Sequence, residues 1–242
     1  INLALLFRAA GLPIMALSGV SAGIIDGIKR PPRIVSGWGD EPVDFGHVGD
    51  IVGIHTEPLR LLCDAGYAVL TFDYKGWGKS EGSRSRLAPS SRMADVLAAV
   101  TYLGIQPEVD KEQIGIYGTS YGCATVVYAA AIDERIKCTV GVVGMGHGGR
   151  WMRSVRRPDE WFDLLDRSEA DREQRVVTGE SEFVAREEVL LPDRQSATLA
   201  AAARAGNPNA VGKIPLEFID ETLQFHPEWV VDKIAPRPLL LI

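Results

Sequence analysis

A short apolar segment that ends in the pentapeptide G-T-S-Y-G constrains the fold more than any other feature of this chain. Residues 113–117 favour a strand, glycines stand two positions before and after Ser120, and residues 123–131 favour a helix. In such a turn the serine adopts a strained conformation, and a Cβ at Gly118 or Gly122 would collide with neighbouring backbone. This context predicts a nucleophile elbow with Ser120 at its tip. The simpler alternative is that Ser120 is only a helix N-cap.

Strand-like and helix-like segments alternate on both sides of this motif. Residues 67–73 are a near-continuous apolar run, typical of a strand buried on both faces of a parallel sheet, and residues 135–143 predict one more strand. Residues 91–103 place Met93, Val96, Leu97 and Val100 at helical spacing and predict a crossover helix with Ser90 or Ser91 as its N-cap. The pattern therefore predicts an α/β fold with a doubly wound, mostly parallel sheet.

The alternation stops near residue 147. Residues 147–231 are polar and helical in pattern, so we expect a helical cap or lid inserted between residues 1–146, the N-terminal part of the core, and residues 232–242, which return to it with a last buried strand. Residues 1–28 are apolar, which leaves a signal peptide or membrane anchor as an alternative. Because Pro13, Ser18 and two glycines interrupt them, we expect segments of the same domain.

The net charge indicates which partners to expect, and the cysteine content indicates the cellular compartment. The net charge of -6 and the pI near 5.3 argue against a nucleic-acid-binding surface. The basic run from Arg150 to Arg157 is followed by Asp159, Glu160 and Asp163, which predicts an ion-paired helix face, with contact to an anionic substrate as the alternative. Three cysteines without a C-x-x-C pair predict reduced thiols in a cytoplasmic protein, with Cys123 packed between helix and sheet.

Three segments together carry a family resemblance. Residues 72–82, with the sequence FDYKGWGKSEG, resemble the strand-end signature of the α/β-hydrolases, and residues 118–122 resemble their elbow. Residues 232–242 resemble the segment that leads to the catalytic acid of that family. The likeness covers about residues 33–138 and the last dozen, and it is closest to the dienelactone hydrolase-like and X-prolyl-peptidase-like esterase branch.

The resemblance implies roles for three residues. Ser120 would be the nucleophile, and the backbone N–H of Tyr121 would donate to the oxyanion. The second oxyanion donor would be the backbone N–H of Trp38, in a loop where Ser36 replaces the usual histidine; an ordinary glycine turn is the alternative. Asp73 is expected to order the strand-end loop through backbone N–H groups. No metal site and no cofactor are implied.

The acid and the histidine of the triad have no matching position. The family order is serine, acid, histidine, and the acid follows the strand that ends at Ile242. His47 and His55 precede the elbow, His147 could border the pocket without an aspartate to orient it, and we expect His226 to be structural. The missing first Met, the end within a strand and the absent acid and base predict that this chain is part of a longer hydrolase.

The resulting expectation is a serine hydrolase that cleaves carboxylic esters or related small-molecule acyl substrates through an acyl-serine intermediate. A peptidase or amidase of the same fold is one alternative. A catalytically incomplete fragment that only binds a ligand is the other. Substrate, acyl-chain length and oligomeric state do not follow from the sequence.

Overall fold

A computed structural model describes residues 70, 72, 74–77, 80, 82, 88–107, 109–192, 197–198 and 212–242. The strands in this part of the chain are β1 (Ile114–Thr119), β2 (Ile136–Val142), β3 (Phe183–Ala185), β4 (Lys213–Pro215) and β5 (Leu239–Leu241). Three of them form one parallel sheet in the order β1–β2–β5, and β3 and β4 form a separate antiparallel pair. The predicted parallel sheet is thus confirmed for these strands.

The helices of the described part follow the predicted alternation with the strands up to β2. They are α1 (Pro89–Gly104), α2 (Tyr121–Ile132), α3 (Gly148–Ser154), α4 (Pro158–Thr178), α5 (Arg186–Val189) and α6 (Glu217–Leu223), with 3₁₀ turns at Pro227–Trp229 and Val231–Ile234. Helix α2 is apolar on nearly all sides and is packed against β1, β2 and α1. A helix that is apolar all round belongs inside a core, and α2 carries the elbow at its first turn.

Helix α1 confirms the predicted apolar face but not the predicted cap. Met93, Val96 and Val100 are buried. The helix begins at Pro89, and Ala88, without a side-chain cap hydrogen bond, takes the N-cap position. The prediction that Ser90 or Ser91 is the N-cap was therefore wrong. Proline explains the earlier start, because its fixed φ suits the first helical position and its missing N–H is not needed there.

Helices α4 and α6 are joined by a partly buried ionic cluster. Arg175 Nε donates to Asp171 Oδ2 at 2.8 Å, and Arg175 also pairs with Asp220. Arg172 Nη2 and Ser168 Oγ donate to Asp220 Oδ1 at 2.9 and 2.8 Å. The side chain of Asp171 is 1% exposed, so the pairing compensates a desolvated charge. The cluster fixes α6 against α4 beside the elbow.

The predicted basic run is engaged in three different ways. Arg157 pairs with Glu160 and Asp159, as the ion-paired-face interpretation predicts. Arg150 pairs with Glu228, which is distant in sequence. Arg156 donates to backbone carbonyls, including the carbonyl of Met152 at 2.8 Å. The run therefore stabilises helix ends and tertiary contacts.

Three further outcomes concern the predicted elements. The antiparallel pair β3–β4 was not predicted within the polar segment. Strand β5 is in place, but its residues are half-buried or exposed, so the expectation of a buried last strand was wrong for the described residues. The segments expected at residues 1–28 and most of the strand expected at 67–73 lie outside the described residues, and the domain boundaries at 146 and 231 stay predictions.

Candidate active site

Ser120 lies in a strained turn between β1 and α2. Its backbone has φ 53° and ψ -125°, and the side chain is exposed. The residue occupies the N-cap position of α2, yet its side chain makes no capping hydrogen bond. The geometry thus disfavours the simple N-cap alternative, because a capping serine normally adopts an extended conformation and accepts from a first-turn N–H. A non-glycine residue held at positive φ is strained, and such residues cluster at functional sites.

The backbone around Ser120 is held on both sides. Its N–H donates to the carbonyl of Val142 at 2.9 Å, and its carbonyl accepts from Cys123 N–H at 3.0 Å. A Cβ built on Gly118 would lie 2.4 Å from the carbonyl oxygen of Gly122. The steric requirement predicted for Gly118 is confirmed, because this contact is between backbone atoms and leaves no room for a side chain.

The carboxyl ends of the three parallel strands meet at this turn. Val143 N–H donates to the carbonyl of Ile242 at 2.7 Å, and Ile242 N–H donates to Gly141 at 3.0 Å. Val143 has φ 50° and is 76% exposed; it and Ser120 are the non-glycine residues with positive φ in the described part of the chain. Ligands of open α/β sheets bind outside the carboxyl ends of the strands, and both strained residues lie at that edge.

Tyr121 is anchored by its side chain at the first position of α2. Its hydroxyl lies 3.2 Å from Thr222 Oγ1, and its ring centroid lies 5.6 Å from that of Phe218 and 5.9 Å from that of Phe225. Burial raises the pKa of Tyr121 to about 12, so the phenol is neutral. The first N–H groups of a helix have no acceptor within the helix, which leaves the Tyr121 N–H available at the positive end of the α2 dipole.

A buried arginine that the sequence interpretation missed lies beside Tyr121. The guanidinium carbon of Arg92 is 4.4 Å from the ring centroid of Tyr74 and 5.4 Å from those of Trp77 and Tyr121. A signal was present, since Arg92 precedes Val96 by one helical turn and therefore lies on the apolar face of α1. A charged residue on such a face requires a compensating environment, here three aromatic rings.

The strand-end loop is tied to α1 by a carboxylate. Asp95 Oδ2 accepts from the backbone N–H of Lys75 at 2.8 Å. This is the type of contact expected of Asp73, which lies outside the described residues. Asp95 therefore orders the loop near its start.

Cys123 packs as predicted between α2 and the sheet. It is buried, and a Cβ on Gly141 or Gly144 would lie 2.4 or 2.1 Å from its Sγ. Burial raises the pKa of the Cys123 thiol to about 11. The thiol is thus protonated at neutral pH and acts as a small apolar side chain.

His147 and His226 pack against each other at the start of α3, with their ring planes tilted by 45°. Their ring centroids are 3.8 Å apart, and that of His226 is 4.0 Å from the 68% exposed Trp229. His147 Nδ1 accepts from the backbone N–H of Arg150 at 3.3 Å, so His147 is the N-cap of α3. Burial and the neighbouring His147 lower the pKa of His226. Both histidine rings thus make packing and capping contacts within the protein.

The structure brings Ser120 and Tyr121 together at the exposed edge of the sheet, and Trp38 lies outside the described residues. In the described ranges, no three His, Cys, Asp or Glu side chains are grouped so that they could hold a metal ion. None of the helices described there has both the length and the apolar character needed to cross a bilayer.

Comparison with known proteins identifies relatives over most of the chain. Residues 46–229 match the family described as X-Pro dipeptidyl-peptidase (S15 family). An uncharacterized 31.7 kDa protein from the traX-finO intergenic region of Escherichia coli is 32% identical over 179 residues, which are 74% of this chain and 62% of that protein. The thiohydrolase aneE of Aspergillus aculeatus is 33% identical over 124 residues, 49% of this chain and 38% of the relative. The chain thus spans less than two thirds of these relatives.

A solved structure supports the same fold. The α/β hydrolase GrgF from Penicillium sp. sh18 superposes with a TM-score of 0.65 at 18% identity, covering 95% of this chain and 70% of that protein. At this identity the likeness concerns the fold alone, and it agrees with the parallel sheet and the helices described above. The chain folds as an α/β-hydrolase and belongs to the X-Pro dipeptidyl-peptidase (S15) family.

Proposed function

We propose that this chain carries the nucleophile of a serine hydrolase that cleaves carboxylic esters or related acyl substrates through an acyl-serine intermediate. The observation that carries the proposal is Ser120, an exposed residue on a strained backbone at the carboxyl edge of a parallel sheet, whose side chain makes no capping hydrogen bond. A serine that serves only the helix has no need of this conformation.

The proposed reaction follows from the position of Ser120. Its Oγ attacks the acyl carbon, and a base takes the hydroxyl proton as the new O–C bond forms. The carbonyl oxygen becomes an oxyanion that accepts from the Tyr121 N–H, with the Trp38 N–H as the proposed second donor. The bond to the leaving group then breaks, and the leaving group takes the proton from the base. The base next takes a proton from water as the water oxygen attacks the acyl carbon; the bond to Ser120 Oγ breaks, Oγ takes the proton and the acid is released.

The general base is left unassigned. By resemblance it is a histidine oriented by a carboxylate. Nδ1 of His147 already accepts a hydrogen bond as the cap of α3, and the ring of His226 is covered by His147 and Trp229. We therefore assign neither histidine to the triad.

We also propose that residues 147–231 form a cap over the substrate site. Supporting contacts join this segment to the elbow: Thr222, Phe218 and Phe225 all touch the side chain of Tyr121. Because Tyr121 follows the nucleophile directly, a segment packed on it lies beside the reacting group.

A peptidase or amidase is the second candidate, and the family match favours it, because the matching family is described by dipeptide cleavage at X-Pro. A thioester substrate belongs to the ester class, and one relative is named a thiohydrolase. The fold alone does not select among these leaving groups.

Labelling with a fluorophosphonate probe tests the nucleophile in the full-length protein. We expect Ser120→Ala to abolish labelling and Ser90→Ala, which alters an exposed serine of α1, to leave it intact. Equal labelling of wild type and Ser120→Ala would refute the assignment. Absence of labelling in both wild type and Ser120→Ala would favour the alternative that the protein binds a ligand without catalysis.

A substrate panel separates the enzyme classes. We expect faster turnover of p-nitrophenyl acetate and of an acyl thioester than of an alanyl-prolyl p-nitroanilide. Faster cleavage of the anilide would establish the peptidase alternative. Each of the three activities is attributed to this site only if Ser120→Ala abolishes it.

A further inference from the structure

Arg92 is a cation inside an aromatic cluster next to the proposed oxyanion donor. Its side chain is 3% exposed, and its guanidinium lies against the rings of Tyr74, Trp77 and Tyr121. A fully buried guanidinium carries a large desolvation cost, and an apolar side chain of similar length would fill the same space without it. Filling the core therefore does not by itself account for an arginine here.

The side chain of Tyr121 is in contact with Arg92 and with three other side chains. Arg92 lies by the ring, Thr222 meets the hydroxyl, and Phe218 and Phe225 pack beside it. These neighbours come from α1, from α6 and from the turn after α6. The ring is thus fixed by elements outside α2.

The peptide unit between Ser120 and Tyr121 is the part of the elbow that a fixed ring can control. The direction of the Tyr121 N–H is set by ψ of Ser120, at -125°, and by the position of the Tyr121 Cα. Ser120 is strained and would relax if its neighbour could move. An anchored ring keeps the Cα in place and holds the N–H in one direction.

We infer that Arg92 is a positioning residue that, through the ring of Tyr121, keeps the Tyr121 N–H aimed at the oxyanion. The inference rests on the proposed function. Arg92 also contacts Tyr74 and Trp77 of the strand-end loop, so the same side chain links that loop to the elbow. Such support for a donor raises kcat, since the oxyanion forms only in the transition state.

A role in stability alone makes a different prediction. If Arg92 only packs α1 onto the core, its loss lowers the melting temperature but leaves kcat and KM of the folded enzyme unchanged. If it positions the donor, kcat falls while KM is nearly constant. The affinity for a trifluoromethyl ketone, whose oxyanion occupies the same hole, then falls with kcat.

The experiment compares Arg92→Met, Arg92→Lys and the control Val100→Ala in the full-length protein. Val100 is fully buried about two turns further along the same helix, so its truncation lowers stability at a distance from Arg92. We expect Arg92→Met to lower kcat and trifluoromethyl-ketone affinity by about tenfold, less than the hundredfold or more for a lost donor, with KM changed less than about twofold. Arg92→Lys keeps the charge without the planar group and should lie between.

Unchanged kcat in folded Arg92→Met would overturn the inference, as would a rise in KM alone. If Arg92→Met does not fold, Arg92→Lys provides the test. Wild-type kcat and wild-type inhibitor affinity in Arg92→Lys would also overturn the inference. A parallel assay of Ser120→Ala separates the two proposals. Activity that survives in Ser120→Ala refutes the proposed function and this inference together, whereas Ser120-dependent activity with unaltered Arg92 variants refutes the inference alone.

Discussion

Adding one methyl group at Gly118 tests the packing of the elbow. A Cβ at this position would lie 2.4 Å from the carbonyl oxygen of Gly122, 2.6 Å from its carbonyl carbon and 2.9 Å from Val126 Cγ1. Two of these atoms belong to the backbone of α2 and cannot turn away, so β1 and α2 must move apart. Overpacking of this kind costs about 1–3 kcal/mol, and we expect the upper value because backbone has to shift. For a chain of this length about 3 kcal/mol lowers Tm by about 6–12 °C.

Gly104→Ala provides the matched control. The same methyl group at Gly104 would meet Lys111 Cβ at 3.7 Å and Ile114 Cδ1 at 3.9 Å, which are ordinary contacts. Its backbone is compatible with alanine, so we expect a change between neutral and about 1 kcal/mol of stabilisation. Thermal unfolding followed by far-UV circular dichroism measures both variants. A Tm of Gly118→Ala within about 2 °C of that of Gly104→Ala would refute the steric argument.

Three further outcomes follow from buried groups. Burial alone would raise the pKa of Asp220, but hydrogen bonds from Arg172 and nearby donors outweigh it and lower the pKa. Ionised Asp220 therefore stabilises the folded protein above the pKa of about 3.9 that an aspartate has in the unfolded chain, and this stabilisation is lost as the pH falls through the lower pKa of the folded protein. Urea unfolding between pH 7 and 3 should show this loss below about pH 4, and an equally steep loss in Asp220→Asn would contradict it. The Cys123 thiol, with a pKa near 11, should resist iodoacetamide at about pH 8 until the protein is denatured, as peptide mass spectrometry would show. Thr222→Val should lower stability by about 1–3 kcal/mol because it leaves the Tyr121 hydroxyl without its partner; Tyr121→Phe in the same protein should recover part of the loss, and an unchanged Tm in the single variant would count against the contact.

The elbow could be predicted because its determinants are local. A strand, a serine between two glycines and an apolar helix follow one another within twenty residues, and each is recognisable from residue type and spacing. The same holds for the apolar face of α1 and for the position of Cys123. Short-range rules of packing and backbone conformation are enough for these features.

The surroundings of Tyr121 could not be predicted because they depend on long-range contacts. Thr222 lies 101 residues away in sequence, and no pattern connects the two. Arg92 could be recognised as a charge on an apolar face, but its three aromatic partners come from two other segments, the strand-end loop and the start of α2. The cap of α1 was misassigned because serine is the commoner N-cap, whereas here Pro89 determines where the helix begins.

The central claim is that Ser120 becomes acylated during turnover. Acid-quenching the full-length protein during hydrolysis of p-nitrophenyl acetate, followed by peptide mass spectrometry, tests this claim directly. We predict one acetyl group on the tryptic peptide that contains Ser120, located on Ser120 by fragmentation and absent in Ser120→Ala. Turnover with the acetyl group on another residue, or undiminished turnover in Ser120→Ala, would contradict the account.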